Sequence, residues 1–267
     1  MQNTDAFDSM LADLGAGDDA GMDRAPTGAE PQVAPTRAAD TTPRRSGGYP
    51  SVKGGGRRVD RRMALLETQC VKLSLSLMSR TNSPARSIGF TSAVSGEGKS
   101  FLAMLTATAL ARQTHMPVTL IDCNWEHPTL HSSFGIPDSP GLAEWLRLEC
   151  SLDDIRYIVS PGLTVIPAGI AGDGAVALTS ALKSIGLQAL RTHPDESLIV
   201  DLAPVLTTSY GALLSQQLDA VLLVVRAGST WDSYIQEASY ELSASAVEGV
   251  VLNATRSRIP HWLQRVL

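Results

Sequence analysis

The sequence predicts an α/β fold, a mostly parallel sheet with helices on both faces, and three observations carry that prediction. Continuous apolar runs, PVTLID, SLIVDLAP and DAVLLVVR among them, lack the in-and-out alternation of a sheet with one wet face. Segments of helix length separate these runs, as parallel strands require. A glycine-rich stretch, AVSGEGKS, stands between a strand-like run and a helix-like one.

In order, residues 63–79 come first, with Leu66, Cys70, Leu73 and Leu77 at helical spacing. Leu73, Leu75 and Leu77 also alternate with serines, as a strand would, and helix is the preferred reading. RSIGFTS then reads as a strand, KSFLAMLTATALARQ as a helix, PVTLID as a strand and residues 141–147 as a helix. LTVIPAG, a helix near 178–191, SLIVDLAP, a helix after Thr208, DAVLLVVR, a helix over 233–244 and GVVLNA complete the alternation.

Residues 1–62 carry almost no large apolar side chains and are expected to form a disordered tail ahead of one domain over 63–267. The tail is polarised. Asp5, Asp8, Asp13, Asp18, Asp19 and Asp23 precede Arg37, Arg44, Arg45, Lys53, Arg57, Arg58, Arg61 and Arg62. It reads either as a solvated linker or as a basic arm for anionic lipid or an acidic partner.

Apolar residues make up 43% of the 267, enough for a sizeable core, and the net charge of −5 argues against nucleic acid as the main partner. Cys70, Cys123 and Cys150 are odd in number and unpaired in spacing, which suits reduced thiols in a cytosol. The start MQNTDAFDSM lacks a secretory pattern, and no apolar run reaches the roughly 18 residues that would span a bilayer. A cytoplasmic protein is expected, with peripheral attachment to the inner face of the plasma membrane if it works there. His115, His127, His131, His193 and His261 show no metal-ligand spacing.

AVSGEGKS supplies what a phosphate loop needs. Gly96 and Gly98 let backbone amides turn inward, and the following helix points its positive end at the ligand. Lys99 is expected to reach the β- and γ-phosphates, and Ser100 to ligate magnesium. The nucleotide-binding set is therefore Ser95, Gly96, Glu97, Gly98, Lys99 and Ser100, for Mg-ATP. Asp122 and Asp201 end two apolar strands, where side chains of an open α/β sheet converge on the crevice. With Lys99 they are the candidate catalytic groups, and with Ser100 the candidate magnesium ligands.

At these residues the chain resembles the bacterial tyrosine kinases and related ATPases of capsule and exopolysaccharide synthesis, a branch of the partition-ATPase-like P-loop proteins. The resemblance runs from about Leu65 onward, through FTSAVSGEGKS, TLIDCNWEHPTLH, LIVDLAPVL, DAVLLVVRAGST and GVVLN in order, to IPHWLQRVL. It implies an ATPase or tyrosine kinase that works with a membrane-anchored chain-length regulator in polymer assembly or export, and a possible homo-oligomer. It also implies that Asp122 and Asp201 position magnesium and the nucleophile, and that Asn253 meets the adenine edge, a strand-end turn residue being the alternative.

The chain departs from the family pattern at informative places. Asn124 and Glu126 replace a second carboxylate and an arginine, and an amide cannot serve as a base. Ala203 stands where proline is common and Tyr210 where the family often has aspartate. No tyrosine follows Tyr240, whereas autophosphorylating members carry a terminal cluster, and only Tyr49 lies in the expected tail. Before the loop, Glu67 is followed by Cys70 and Leu73, unlike the pattern tied to ring assembly. These departures give an alternative, a nucleotide-binding switch or scaffold without turnover. A partitioning ATPase is a third reading, disfavoured because Val94 replaces its early lysine. The segment WLQRVL is expected to pack on the domain or touch a partner or bilayer.

Overall fold

The computed structural model describes residues 56–79 and 85–255, with side chains from residue 63. Residues 1–55, Tyr49 among them, and the segment WLQRVL lie outside the described residues.

Seven strands form one sheet in the order β3-β4-β2-β5-β1-β6-β7. They are β1 (Ser87–Ser92), β2 (Val118–Cys123), β3 (Tyr157–Ser160), β4 (Leu163–Ile166), β5 (Ser197–Leu202), β6 (Ala220–Arg226) and β7 (Val247–Asn253). Every pairing is parallel except β3 with β4. The strands β1, β2 and β5 are buried along their whole length, so their sequences lack the in-and-out alternation of a sheet with one wet face.

The helices are α1 (Gly56–Met78), α2 (Lys99–Thr114), α3 (Leu130–Phe134), α4 (Leu142–Leu146), α5 (Ala175–Ile185) and α6 (Asp232–Glu241). One core holds α1, α2 and α3 against the sheet, through Cys70 and Leu77, Leu102, Leu105 and Leu110, and Leu130. A second core, on the other face, gathers Leu142 of α4, Leu178 and Leu182 of α5, and Ala238 of α6. Fully buried leucines such as Leu105 and Leu110 each contribute about 1.5–3 kcal/mol relative to exposure.

Small residues bring α2 close to the sheet. Ala103, Ala107 and Ala111 recur every four positions and are all buried, so a helix with no bulky stripe there approaches the strands and fixes its N-terminus over their carboxyl ends.

Residues 56–62, assigned to the tail by composition, belong to α1. The helix reading of 63–79 holds: Leu66, Cys70, Leu73 and Leu77 face the core, while Leu75 is exposed. Glu67 pairs with Arg112 of α2 at 2.5 Å. Three details differ from expectation. Between Thr208 and β6 there is no α-helix; turns lead to a 3-10 turn at Ser215–Gln217. The helix near 178–191 stops at Ile185 because Gly186 takes φ 88°, and a 3-10 turn finishes it. The short antiparallel β3 and the short α3 had no distinct sequence signal.

Candidate functional site

The site forms where β1, β2 and β5 end side by side. β5 pairs with both neighbours, and its register sets Asp201 opposite Asp122. Parallel partners direct their side chains to the same face, so two carboxylates meet in a fully buried position. The loop from Ala93 to Gly98 crosses above them and leads into α2.

Backbone geometry in that loop explains its glycines. Gly96 has φ 85° and Gly98 φ 91°, the left-handed region that a Cβ disfavours. Open space surrounds Gly96, whereas a Cβ on Gly98 would lie 2.1 Å from the Asn253 amide nitrogen. Three downstream residues, Arg226, Thr230 and Asn253, brace the loop from beneath. Buried Glu97 accepts hydrogen bonds from its own loop at Val94 N (3.0 Å), from Arg226 N (3.4 Å), and from the Thr230 hydroxyl. The Arg226 guanidinium donates to Gly96 O at 3.3 Å, and Asn253 Nδ2 to Glu97 O at 2.9 Å. The side chain of Glu97 is thus structural, leaving its backbone for phosphate. Asn253 sits at the end of β7 against the loop, its amide nitrogen engaged there. Thr230 and Arg226 are site residues that sequence reasoning missed, and no local motif announces them.

Lys99 is only 6% exposed and turns back into the site. Its Nζ lies 3.0 Å from Asp201 Oδ1 and 3.2 Å from Ser100 Oγ. Asp201 Oδ2 is buried without a hydrogen-bond partner. Asp122 accepts three backbone N–H bonds: Asn124 at 3.0 Å, and Thr129 and Leu130 at 3.1 Å. Those donors order the turn that leads into α3. All the expected loop residues and both aspartates therefore come together, with Asn253 on the rim.

Burial pushes the Asp122 carboxyl up to about 7, helped by the neighbouring Asp201 charge and opposed by its N–H donors and Lys99. Burial also raises Asp201, with Lys99 and Ser100 pulling the other way. A carboxyl raised in the fold binds more protons there than in the unfolded chain. Its contribution to stability therefore falls as pH rises from about 4 through about 7. Asp201→Asn removes one source of the Asp122 shift, so the loss of Tm of the nucleotide-free protein between pH 6 and pH 8 is expected to be smaller in that variant. Thermal melts across this range check it.

The segment after β2 is rigid rather than reactive. Asn124 donates to His127 O at 2.8 Å, and its buried Oδ1 has no partner. Trp125 donates to Ala168 O at 3.1 Å and leans on Tyr210, ring centroids 5.8 Å apart. Tyr210 is buried, accepts from Glu126 N at 3.2 Å, and has its hydroxyl pushed up to about 12 by burial. It fills space and is no exposed phosphate acceptor. Tyr234 and Tyr240 on α6 are the exposed tyrosines among the described residues.

Magnesium fits this donor set. A hard cation takes oxygen ligands and keeps most of its coordination for phosphate and water. The orphaned Asp201 Oδ2 and the Ser100 hydroxyl are such oxygens, on two residues that Lys99 Nζ touches together. Among the described residues no cluster of three His, Cys, Asp or Glu could hold a metal alone, so the ion would enter together with phosphate.

A glycine loop at the start of a helix, a buried lysine on it and aspartates on adjacent strand ends define a P-loop fold of the partition-ATPase type. The ParA-family ATPase of Chlorobium tepidum shares that fold: TM-score 0.51 at 22% identity, over 66% of this chain and 76% of that one. No family model matches the chain. It is 31% identical over 159 residues to the tyrosine-protein kinase Ptk of Acinetobacter johnsonii, covering 58% of this chain and 22% of that protein. The chain thus spans about a fifth of that relative's length. The VpsO kinase domain superposes over its whole length and 76% of this chain, with TM-score 0.64 and 25% identity. The chain is thus similar to bacterial tyrosine-protein kinases in sequence and to their kinase domains in fold. Among the described residues no helix is long and apolar enough to cross a membrane.

Proposed function

We propose that the protein binds Mg-ATP at Ser95, Gly96, Glu97, Gly98, Lys99 and Ser100, and uses it as a cytoplasmic regulator of exopolysaccharide or capsule synthesis or export. The partner is the cytoplasmic end of a membrane-anchored polysaccharide chain-length regulator, and the protein acts as a homo-oligomer. The observation that carries the nucleotide reading is the buried Lys99 ammonium, held between Asp201 and Ser100 at the foot of the loop. Loop amides and the end of α2 receive the phosphates. Lys99 exchanges its contact with Asp201 for the β- and γ-phosphate oxygens, freeing Asp201 and Ser100 for the cation. Bound magnesium neutralises charge that builds on the phosphate oxygens during transfer. Asp122, its carboxyl pushed up to about 7, takes the proton of the attacking hydroxyl or water when it is ionised.

A second reading is favoured by one observation. The Asn124 amide is tied to His127 O, so position 124 supplies no base. The protein is then a nucleotide-held switch or scaffold.

One experiment separates these. Protein with Mg-ATP labelled at the γ-phosphate, with and without the cytoplasmic end of the membrane partner, is expected to transfer label to tyrosine or release it as inorganic phosphate. Lys99→Ala should do neither. Binding without any transfer supports the switch, and no nucleotide binding at all sinks both readings.

A further inference from the structure

The crossover from β6 to β7 leaves apolar surface uncovered. The register pairs Leu223 with Val250 and Val225 with Leu252, so Val250 and Leu252 share the face of Leu223 and Val225. That is the α6 face, since Leu223, Val225, Ala238 and Leu242 lie in one core. A well-seated crossover helix would cover both residues. Yet Val250 is 49% exposed, Leu252 61%, and Trp231, at the head of α6, 70%. The helix touches the core only along Ile235, Ala238 and Leu242. Beyond β7 no further strand pairs among the described residues. α6 itself carries Asp232, Glu237 and Glu241 and no lysine or arginine, while Arg226 ends the neighbouring β6.

We propose that this α6–β7 face is the docking surface for the chain's own residues 256–267, RSRIPHWLQRVL. Pattern and charge both match. Ile259, Trp262, Leu263, Val266 and Leu267 fall at i, i+3, i+4, i+7 and i+8, the stripe of an amphipathic helix. Pro260 suits the first turn of such a helix. Arg256, Arg258 and Arg265 are basic and the segment has no acid, opposite in sign to α6. The tether is short. The segment starts three residues past Asn253, at the end of the sheet where Leu252 and Trp231 stand uncovered, so its effective concentration at that face is high. Docking covers the apolar strip and sets Arg256 and Arg258 beside the turn that braces the phosphate loop.

Hydrogen–deuterium exchange on the full chain tests this. In the variant Trp262→Ala/Leu263→Ala, amides of α6 and β7 are expected to exchange faster by roughly threefold or more, as a local covering element is lost. High salt should speed the same amides in the wild type. Leu252→Asp, at a position 61% exposed, should release residues 256–267 in the same way. Equal exchange in wild type and both variants overturns the proposal. So does protection that rises with protein concentration, which would mean a second copy supplies the segment. Sedimentation with phosphatidylglycerol vesicles that requires Trp262 while α6 and β7 exchange stays unchanged would also overturn it, in favour of a bilayer.

Discussion

Lys99→Ala is expected to reduce phosphoryl transfer by about 10²–10³-fold, the cost of deleting one preorganised charge aimed at the reacting oxygens. It should also destabilise the nucleotide-free protein. Lys99 and Asp201 form a buried pair at 3.0 Å, and removing one partner leaves the other uncompensated, at about 3–5 kcal/mol for a fully ionised carboxylate. Burial raises the Asp201 carboxyl, so in the variant protonation relieves part of that loss, more at low pH than at high pH. The double variant Lys99→Ala/Asp201→Asn separates the effects. Its Tm should recover toward wild type while transfer stays lost. If transfer recovered as well, the pair would be structural and the lysine would not be the phosphate ligand.

Gly98→Ala is the second large effect. A left-handed backbone costs a residue with a Cβ about 1–2 kcal/mol, and here the new methyl would also strike the Asn253 amide at 2.1 Å. Either the strand end or the loop must move. Because Gly98 precedes the helix whose first residue is Lys99, that movement displaces the lysine too. Nucleotide binding, read by calorimetry, is expected to weaken more than tenfold, about 1.4 kcal/mol or more. Gly98→Ala/Asn253→Gly should restore the steric part but not the backbone part. Full restoration would show that the left-handed turn is not required, and none would show that Asn253 is not the obstacle.

Much of this was readable in the chain because burial leaves a mark. The central strands are enclosed on both sides, so none shows the alternation of a half-wet strand, and each was recognised. Asp122 and Asp201 were legible for a related reason: a carboxylate that interrupts such a run at a strand end has few structural excuses, while Lys99 and Ser100 stood out through the glycine-rich stretch before them. What escaped notice depends on contacts distant in sequence. The stretch after Thr208 looked helical, but just before it Val205 and Leu206 give their N–H groups to Ser92 and Ala93 at 2.9 and 3.1 Å, and this tie to the loop holds the chain in turns. Strand β3 is only four residues long with a partly exposed pattern, and antiparallel pairing with β4 holds it. The structural duty of Glu97 could not be seen beside its glycines, because Arg226 and Thr230 arrive on another strand and turn.

The three braces under the phosphate loop reach it across 129, 133 and 156 residues of sequence. A ribosome making this protein therefore finishes the loop long before it makes anything to hold the loop in shape. Until residue 253 has left the exit tunnel, AVSGEGKS is a glycine-rich span with no fixed curvature, and loop-closure entropy must be paid over long distances before the pocket exists. Nucleotide supplied during synthesis would meet no competent site in the nascent chain, and binding would arise in one late step rather than growing strand by strand.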